Sequence, residues 1–162
     1  MAEWDGEALA RLRAAAHLGD GTAGCEVLRG RPLRPVLQYA GDVLVAALAQ
    51  GVPGAEELAR ECAAELRERD APGDAELAAE IAGDTGLAGL PVDLGAVAAA
   101  MDAAMADGLY VLDVERGDVL PVGEADGPVI PPGVLPEGED ARRGAARRWL
   151  AGQGYRVVPR GL

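Results

Sequence analysis

Residues 36–50, VLQYAGDVLVAALAQ, decide how the chain folds. Val36, Leu37, Ala40, Val43, Leu44, Ala47 and Leu48 recur at i, i+1, i+4, i+7, i+8 spacing, which is the repeat of an α-helix. Asp42 is the only charge in the segment. A helix so nearly apolar all round is the central member of a bundle. Gly51 stands where a C′ glycine ends such a helix, and Pro53 where the next helix would have its first residue.

Working outward, residues 4–17 carry Trp4, Ala8, Leu12 and Ala15 at helical spacing, and Gly19-Asp20-Gly21 ends the run. A short helix is expected over Gly24–Arg29. Pro32 and Pro35 frame the boundary before the central helix, since each biases the preceding residue away from helix. On the other side, residues 54–69 place Leu58, Cys62 and Leu66 on one face, with Glu56–Arg60 and Glu65–Arg69 at i, i+4 in the favourable order. Residues 74–82 predict a shorter helix with Leu77, Ala78 and Ile81 inward. Residues 53–63 (PGAEELARECA) and 72–82 (PGDAELAAEIA) share the pattern PG-x-x-E-L-A-x-E-x-A, which suggests a repeated turn-plus-helix unit.

After the glycine-rich stretch 83–91, expected as a linker, the pattern changes. Val92-Asp93-Leu94 leads into a helix over 94–106 whose apolar face is Leu94, Val97, Ala98, Met101 and Met105. Two β-rich runs, Leu109–Val114 and Val119–Val122, flank Glu115-Arg116-Gly117-Asp118 and predict a hairpin. Residues 123–138 are rich in Pro, Gly and Glu and read as a flexible linker. Residues 139–152 predict a last helix, and Tyr155–Pro159 a final extended segment. The expected class is α+β, mostly α. A helical domain (1–86) precedes a helix-hairpin module (90–122), the linker (123–138) and a basic C-terminal helix and tail (139–162).

Val92–Val122 resembles the bacterial Uncharacterised Protein Family 0158. The residues that carry the likeness are the Asp93-Leu94 entry, the apolar helix, the Tyr110-Val111-Leu112-Asp113-Val114 strand, the acidic turn and the strand from Val119. Ala146-Arg147-Arg148-Trp149-Leu150 followed by Gly154-Tyr155 is similar to the family's closing helix. The likeness implies a reduced member of actinobacterial type, with a Pro/Gly/acidic linker where the family usually carries an aromatic-rich segment. It implies architecture and brings no activity with it.

Composition narrows the chemistry. The chain contains no Ser, Asn, Lys or Phe, and one His. Serine nucleophiles, Schiff-base lysines and P-loop lysines are therefore excluded. The net charge is −12, which disfavours binding to phosphate backbones or anionic membranes. Residues 91–141 hold 11 acids against Arg116 alone, whereas residues 142–162 hold six Arg and no acid. Cys25 and Cys62 lack metal-ligand or redox spacing, and Cys62 is expected to be buried. The N-terminus has no signal-peptide pattern, and the longest apolar run, Val43–Ala49, is too short to span a bilayer, so the expectation is a cytoplasmic protein.

Four features are weighed as sites. Asp113, Glu115 and Asp118 cluster at the hairpin turn, where oxygen ligands suit Mg²⁺ or Ca²⁺, but acids are also ordinary turn formers. His17 lacks a ligand partner and suits a helix C-terminus. The Gly-rich pieces Gly19–Gly21 and Gly83–Gly89 have no phosphate-loop signature. Arg142, Arg143, Arg147 and Arg148, with Trp149, form the sharpest charge feature. They read either as an arm for a partner or as a tail docked on the chain's own acidic body, and the negative field favours docking. Exposed ion pairs would add little to such docking, so Trp149 and Leu150 are expected to supply most of it. The functional expectation is a non-enzymatic protein-interaction module with an unidentified protein partner, no cofactor, no membrane contact and no small-molecule substrate. The alternatives are an acidic inhibitor of a basic nuclease or DNA-binding protein, and a metal-assisted hydrolase at the hairpin carboxylates.

Overall fold

The structure is a computed structural model and describes residues 3–159, apart from the side chains of 105–107. Met105, expected on the apolar face of its helix, has its side chain outside the described residues, as does the 160–162 end of the tail. Among the described residues the fold is α+β and mostly helical, with seven α-helices and five short strands in two small sheets.

The first five helices enclose one core. α1 (Gly6–Leu18) starts at Asp5, whose Oδ1 accepts from the Ala8 amide at 2.7 Å, and ends at Gly19 in the left-handed region, φ 70°. α2 (Gly21–Leu28) is capped in the same way by Asp20 and begins three residues before the expected Gly24. Gly19-Asp20-Gly21 is thus the joint between the two helices. A 3₁₀ turn, Arg34–Val36, leads into α3 (Leu37–Ala49), which is buried along nearly all of its length. α4 (Ala55–Arg69) and α5 (Asp74–Ala82) follow. Leu12, Leu28, Leu37, Leu44, Leu66 and Leu77 are fully buried at the centre of this core, as is Cys62.

The internal repeat has a structural counterpart. α4 and α5 each begin immediately after a glycine in the left-handed region, Gly54 (φ 81°) and Gly73 (φ 88°). An L-residue with a Cβ adopts that conformation only with strain, which is why the PG pair recurs at both starts.

The second core is drawn from residues 90–157. β1 (Ala88–Leu90) lies within the stretch expected as a linker. α6 (Leu94–Asp107) follows, with Asp93 Oδ1 accepting from the amides of Gly95 at 2.9 Å and Ala96 at 3.4 Å. β2 (Tyr110–Asp113) and β3 (Asp118–Pro121) form the expected antiparallel hairpin, in the register Asp113↔Asp118. β4 (Val129–Ile130) pairs with the free side of β2, giving the order β3-β2-β4. Part of the segment read as a linker is therefore a strand, and Ile130 is fully buried. α7 (Glu139–Gly152) closes the chain against both cores, and β5 (Tyr155–Val157) pairs with β1 in parallel, Ala88↔Tyr155 to Leu90↔Val157. Among the described residues no helix is long and apolar enough to cross a membrane.

Candidate functional site

α7 presents its arginines on two sides. Arg143 and Arg147 are one turn apart and face α3, where Gln38 and Asp42 are also one turn apart. The two ladders meet. Arg147 is 1% exposed; its Nε donates to Gln38 Oε1 at 2.8 Å, and its two Nη atoms bond to Glu80 and Asp42. Arg143 is 8% exposed and donates from Nη2 to Asp42 Oδ2 at 2.5 Å, with its guanidinium 4.0 Å from the Tyr39 ring centre.

The network continues beyond these pairs. Gln38 Nε2 donates to Asp74 Oδ1 at 3.1 Å, and Arg69 holds both oxygens of Asp74 at 2.7 and 2.6 Å. Arg69 also reaches Asp140 Oδ2 at 2.6 Å, while Asp140 Oδ1 accepts from the Gln38 amide at 2.7 Å. Glu80 Oε1 accepts from the Val157 amide at 3.2 Å, tying β5 to the same cluster. The polar groups of α3, α4, α5, α7 and β5 thus satisfy one another inside the protein, except for the Arg143 Nε–H, which has no acceptor among the described residues. Burial on this scale is tolerated because each buried charge faces an opposite charge.

Two glycines allow α7 to come this close. A Cβ on Gly144 would stand 2.2 Å from the Pro72 carbonyl oxygen, and one on Gly73 would stand 2.1 Å from the Gly144 oxygen. Backbone therefore packs on backbone at the crossing, and both positions exclude side chains.

The protonation equilibria follow from this packing. Burial pushes the Glu80 carboxyl above its ordinary value, against the pull of Arg147. Burial works against the Arg147 charge, but Asp42 and Glu80 outweigh it, and its pKa is raised. Tyr39 is pushed up to about 12, first by burial and then by its bond to Glu139, so it stays a donor; its hydroxyl gives to Glu139 Oε1 at 2.5 Å. Burial would raise Glu139, yet the bonds from Tyr39 and Arg13 hold it below its ordinary value. Burial also lifts the Cys62 thiol to about 12, which leaves it an unreactive core side chain.

The expected cluster of five therefore divides. Arg143 and Arg147 come together inside the protein. Arg142 pairs with Asp102 at the surface, and Arg148 is exposed beside the Asp70–Glu76 turn. Trp149 is half-buried against the second core, whereas Leu150 is fully buried. The expectation that the charges of α7 are exposed is corrected for Arg143 and Arg147, because Asp42 on α3 and Glu80 on α5 converge on them. The helical pair Glu65–Arg69 does not form either, since Arg69 turns to Asp74 and Asp140. Glu56 and Arg60 likewise form no ion pair among the described residues.

Asp113 Oδ1 accepts from the amides of Glu115 at 3.0 Å and Arg116 at 3.4 Å, so this carboxylate shapes the hairpin turn. His17 lies in the exposed last turn of α1. Sequence reading did not single out Gln38, Asp74, Glu80 and Asp140, and placed Arg69 only in a helical pair with Glu65. The available signals were two polar residues one turn apart on an otherwise apolar helix and a glycine in the middle of α7.

One open apolar surface lies away from this cluster. A groove of about 490 Å³ runs between α3, α4 and α5, lined by Leu48, Ala59, Ala63 and Ile81 and by the α4 side chains Glu56, Arg60 and Arg67. Neither arginine makes an ion pair among the described residues. The chain matches no protein-family model, no curated protein and no solved structure.

Proposed function

We propose that this protein is a non-enzymatic protein-binding module that receives an amphipathic helix of a partner protein in the α3–α4–α5 groove. The observation that carries the reading is the groove itself, an apolar trough lined by Glu56 and by two arginines that make no ion pair among the described residues. The small side chains of Ala59 and Ala63 leave room for a partner's Leu or Ile side chains, as in helix-in-groove recognition. Arg60 and Arg67 are seven residues apart on one helix, about 10 Å, so they match two acids at the same spacing on the incoming helix. At physiological salt the Debye length is about 8 Å, so these edge charges act on a docked helix more than the remote net charge does.

The non-enzymatic part of the reading is supported by the absence of Ser and Lys and by the mutual pairing of the buried acids and arginines. The same proposal places the protein in the cytoplasm, where thiols stay reduced, in keeping with two free, buried cysteines. Membership of Uncharacterised Protein Family 0158 is proposed for the helix-hairpin unit alone and adds no activity.

The test is a fluorescence-anisotropy titration with two designed helical peptides that share a Leu/Ile seam and carry either acidic or basic residues on one flank. The acidic-flank peptide binds more tightly, and Arg60→Glu with Arg67→Glu reverses the order. Binding of neither peptide, or a preference for the basic flank in the unaltered protein, refutes the reading; the latter result favours the acidic-inhibitor alternative.

A further inference from the structure

The two cores are separate units of the chain. The apolar side chains of the first lie between Trp4 and Ile81, and those of the second between Leu90 and Val157. Among the described residues no backbone-to-backbone hydrogen bond joins the two units, and all five strands belong to the second. What joins them is a layer of charge. Each hydrogen bond across the seam includes a charged side chain, from Arg13 on Glu139 at the rim to Arg147 on Asp42 and Glu80 at the centre. Beside this layer the seam is not filled. A cavity of about 210 Å³ lies between Ala16 of α1 and the side chains of Val92, Leu94 and Val158.

The connection between the units is short and open to solvent. Gly83-Asp84-Thr85-Gly86-Leu87 runs from the end of α5 to β1, and Gly83, Asp84 and Gly86 are exposed. The Leu87 amide bonds within the segment, to Thr85 Oγ1 at 3.4 Å. A polar interface between units of one chain permits relative motion that a large apolar one would prevent. Removing one partner of a buried ion pair strands the other. Parting the units returns both to water, and the recovered hydration offsets the lost attraction.

We propose that the units part at this seam about residues 83–87 and re-form it between two copies of the chain, α7 of each docking on α3 and α5 of the other. A second copy is the occupant that an opened seam fits by construction. Its Arg143 and Arg147 meet the same Asp42 and Glu80, and its Gly144 the same Gly73. Exchange of an identical element makes a dimer at low cost, without a new contact surface. α7 travels with the second core, on which Ala146 and Leu150 stay packed, so its helical amides remain bonded in both forms. Within one chain the seam closes at an effective concentration of about millimolar. The dilute protein is therefore a monomer, and exchange is populated as concentration rises. The groove on α3–α5 shares no lining residue with the seam cavity, and the exchange stands or falls independently of it.

The test is the mass in solution, by light scattering on a sizing column, of three full-length chains refolded from urea when dilute and at about millimolar concentration. They are the unaltered protein, a chain lacking Asp84–Gly86, and a chain with a short Gly/Ser insertion after Gly86. The deletion removes about 10 Å of reach, so the seam closes only between copies. This chain runs at twice the monomer mass, with the far-UV circular dichroism of the unaltered protein. The unaltered chain gives a dimer fraction that grows with concentration. The insertion lowers that fraction, because the seam then closes more readily within one chain. A folded, monomeric deletion chain overturns the proposal, and so does an unaltered chain that forms no dimer at either concentration. If the deletion chain does not fold, the other two decide. A dimer fraction lowered by the insertion supports the exchange, and an equal fraction in both places the contact elsewhere and overturns it.

Discussion

Replacing Arg147 with Met separates a buried latch from a tail held by surface charge. The side chain is 1% exposed and bonds to Gln38, Asp42 and Glu80. Met keeps much of its length and removes the charge, which leaves two buried carboxylates with one partner fewer. Breaking a buried ion pair from one side costs about 3–5 kcal/mol. Domains are stable by about 5–15 kcal/mol in all, so this is a large part of the total. With a urea m-value of about 2 kcal/mol/M, the unfolding midpoint falls by about 1.5–2.5 M. Arg142→Ala is the control, because its pair with Asp102 is part-exposed and an exposed pair contributes about 0–1 kcal/mol. Urea titrations followed by far-UV circular dichroism give both midpoints. If Arg147→Met costs no more than Arg142→Ala, the buried network is not what holds α7.

Two further outcomes follow from the same geometry. Gly144→Ala drives a methyl group to 2.2 Å from the Pro72 oxygen and lowers stability by about 1–3 kcal/mol, seen as a reduced Tm; an unchanged Tm would mean that the crossing is looser than described. Glu139 titrates below its ordinary value near 4.5, so its contribution is present above about pH 4.5 and is lost as pH falls through the native value. Glu80 acts in the opposite sense, because its raised native pKa makes its contribution fall as pH rises from about 4.5 through that value. Urea midpoints against pH should therefore show a shallower acid-side decline in Glu139→Gln than in the unaltered chain, and identical slopes refute the assignment.

Much of the fold is legible in local pattern, because helices of this length carry their own periodicity. α3 shows it most clearly, and the hairpin follows from two β-rich runs around Arg116-Gly117. β1 and β4 are not legible in that way, whereas β5 falls within the extended segment expected over Tyr155–Pro159. Strands of two or three residues complete no hydrophobic repeat, and the pairing of Ala88 with Tyr155 is fixed only once α6 and α7 have packed. The site was half legible. The arginines stand out in the sequence, and their docking on the chain's own acids follows from charge. Their burial does not, because it depends on Asp42 and Glu80 arriving from two other helices, α3 and α5. Asp42 on an apolar helix and Gly144 inside a charged one are the local traces of that convergence. Trp149 misled in the other direction: the largest side chain of α7 is half-buried, and the fully buried contacts are Arg147 and Leu150.

The most direct measurement of the central claim, that α7 is an internal latch, is amide hydrogen exchange across Ala146–Leu150 at low and high salt. Burial among Asp42, Glu80 and the second core predicts that these amides exchange only through global unfolding, with the same protection at both salt concentrations. Exchange by local opening, made faster by salt, would contradict the account and mark α7 as a tail held by surface charge.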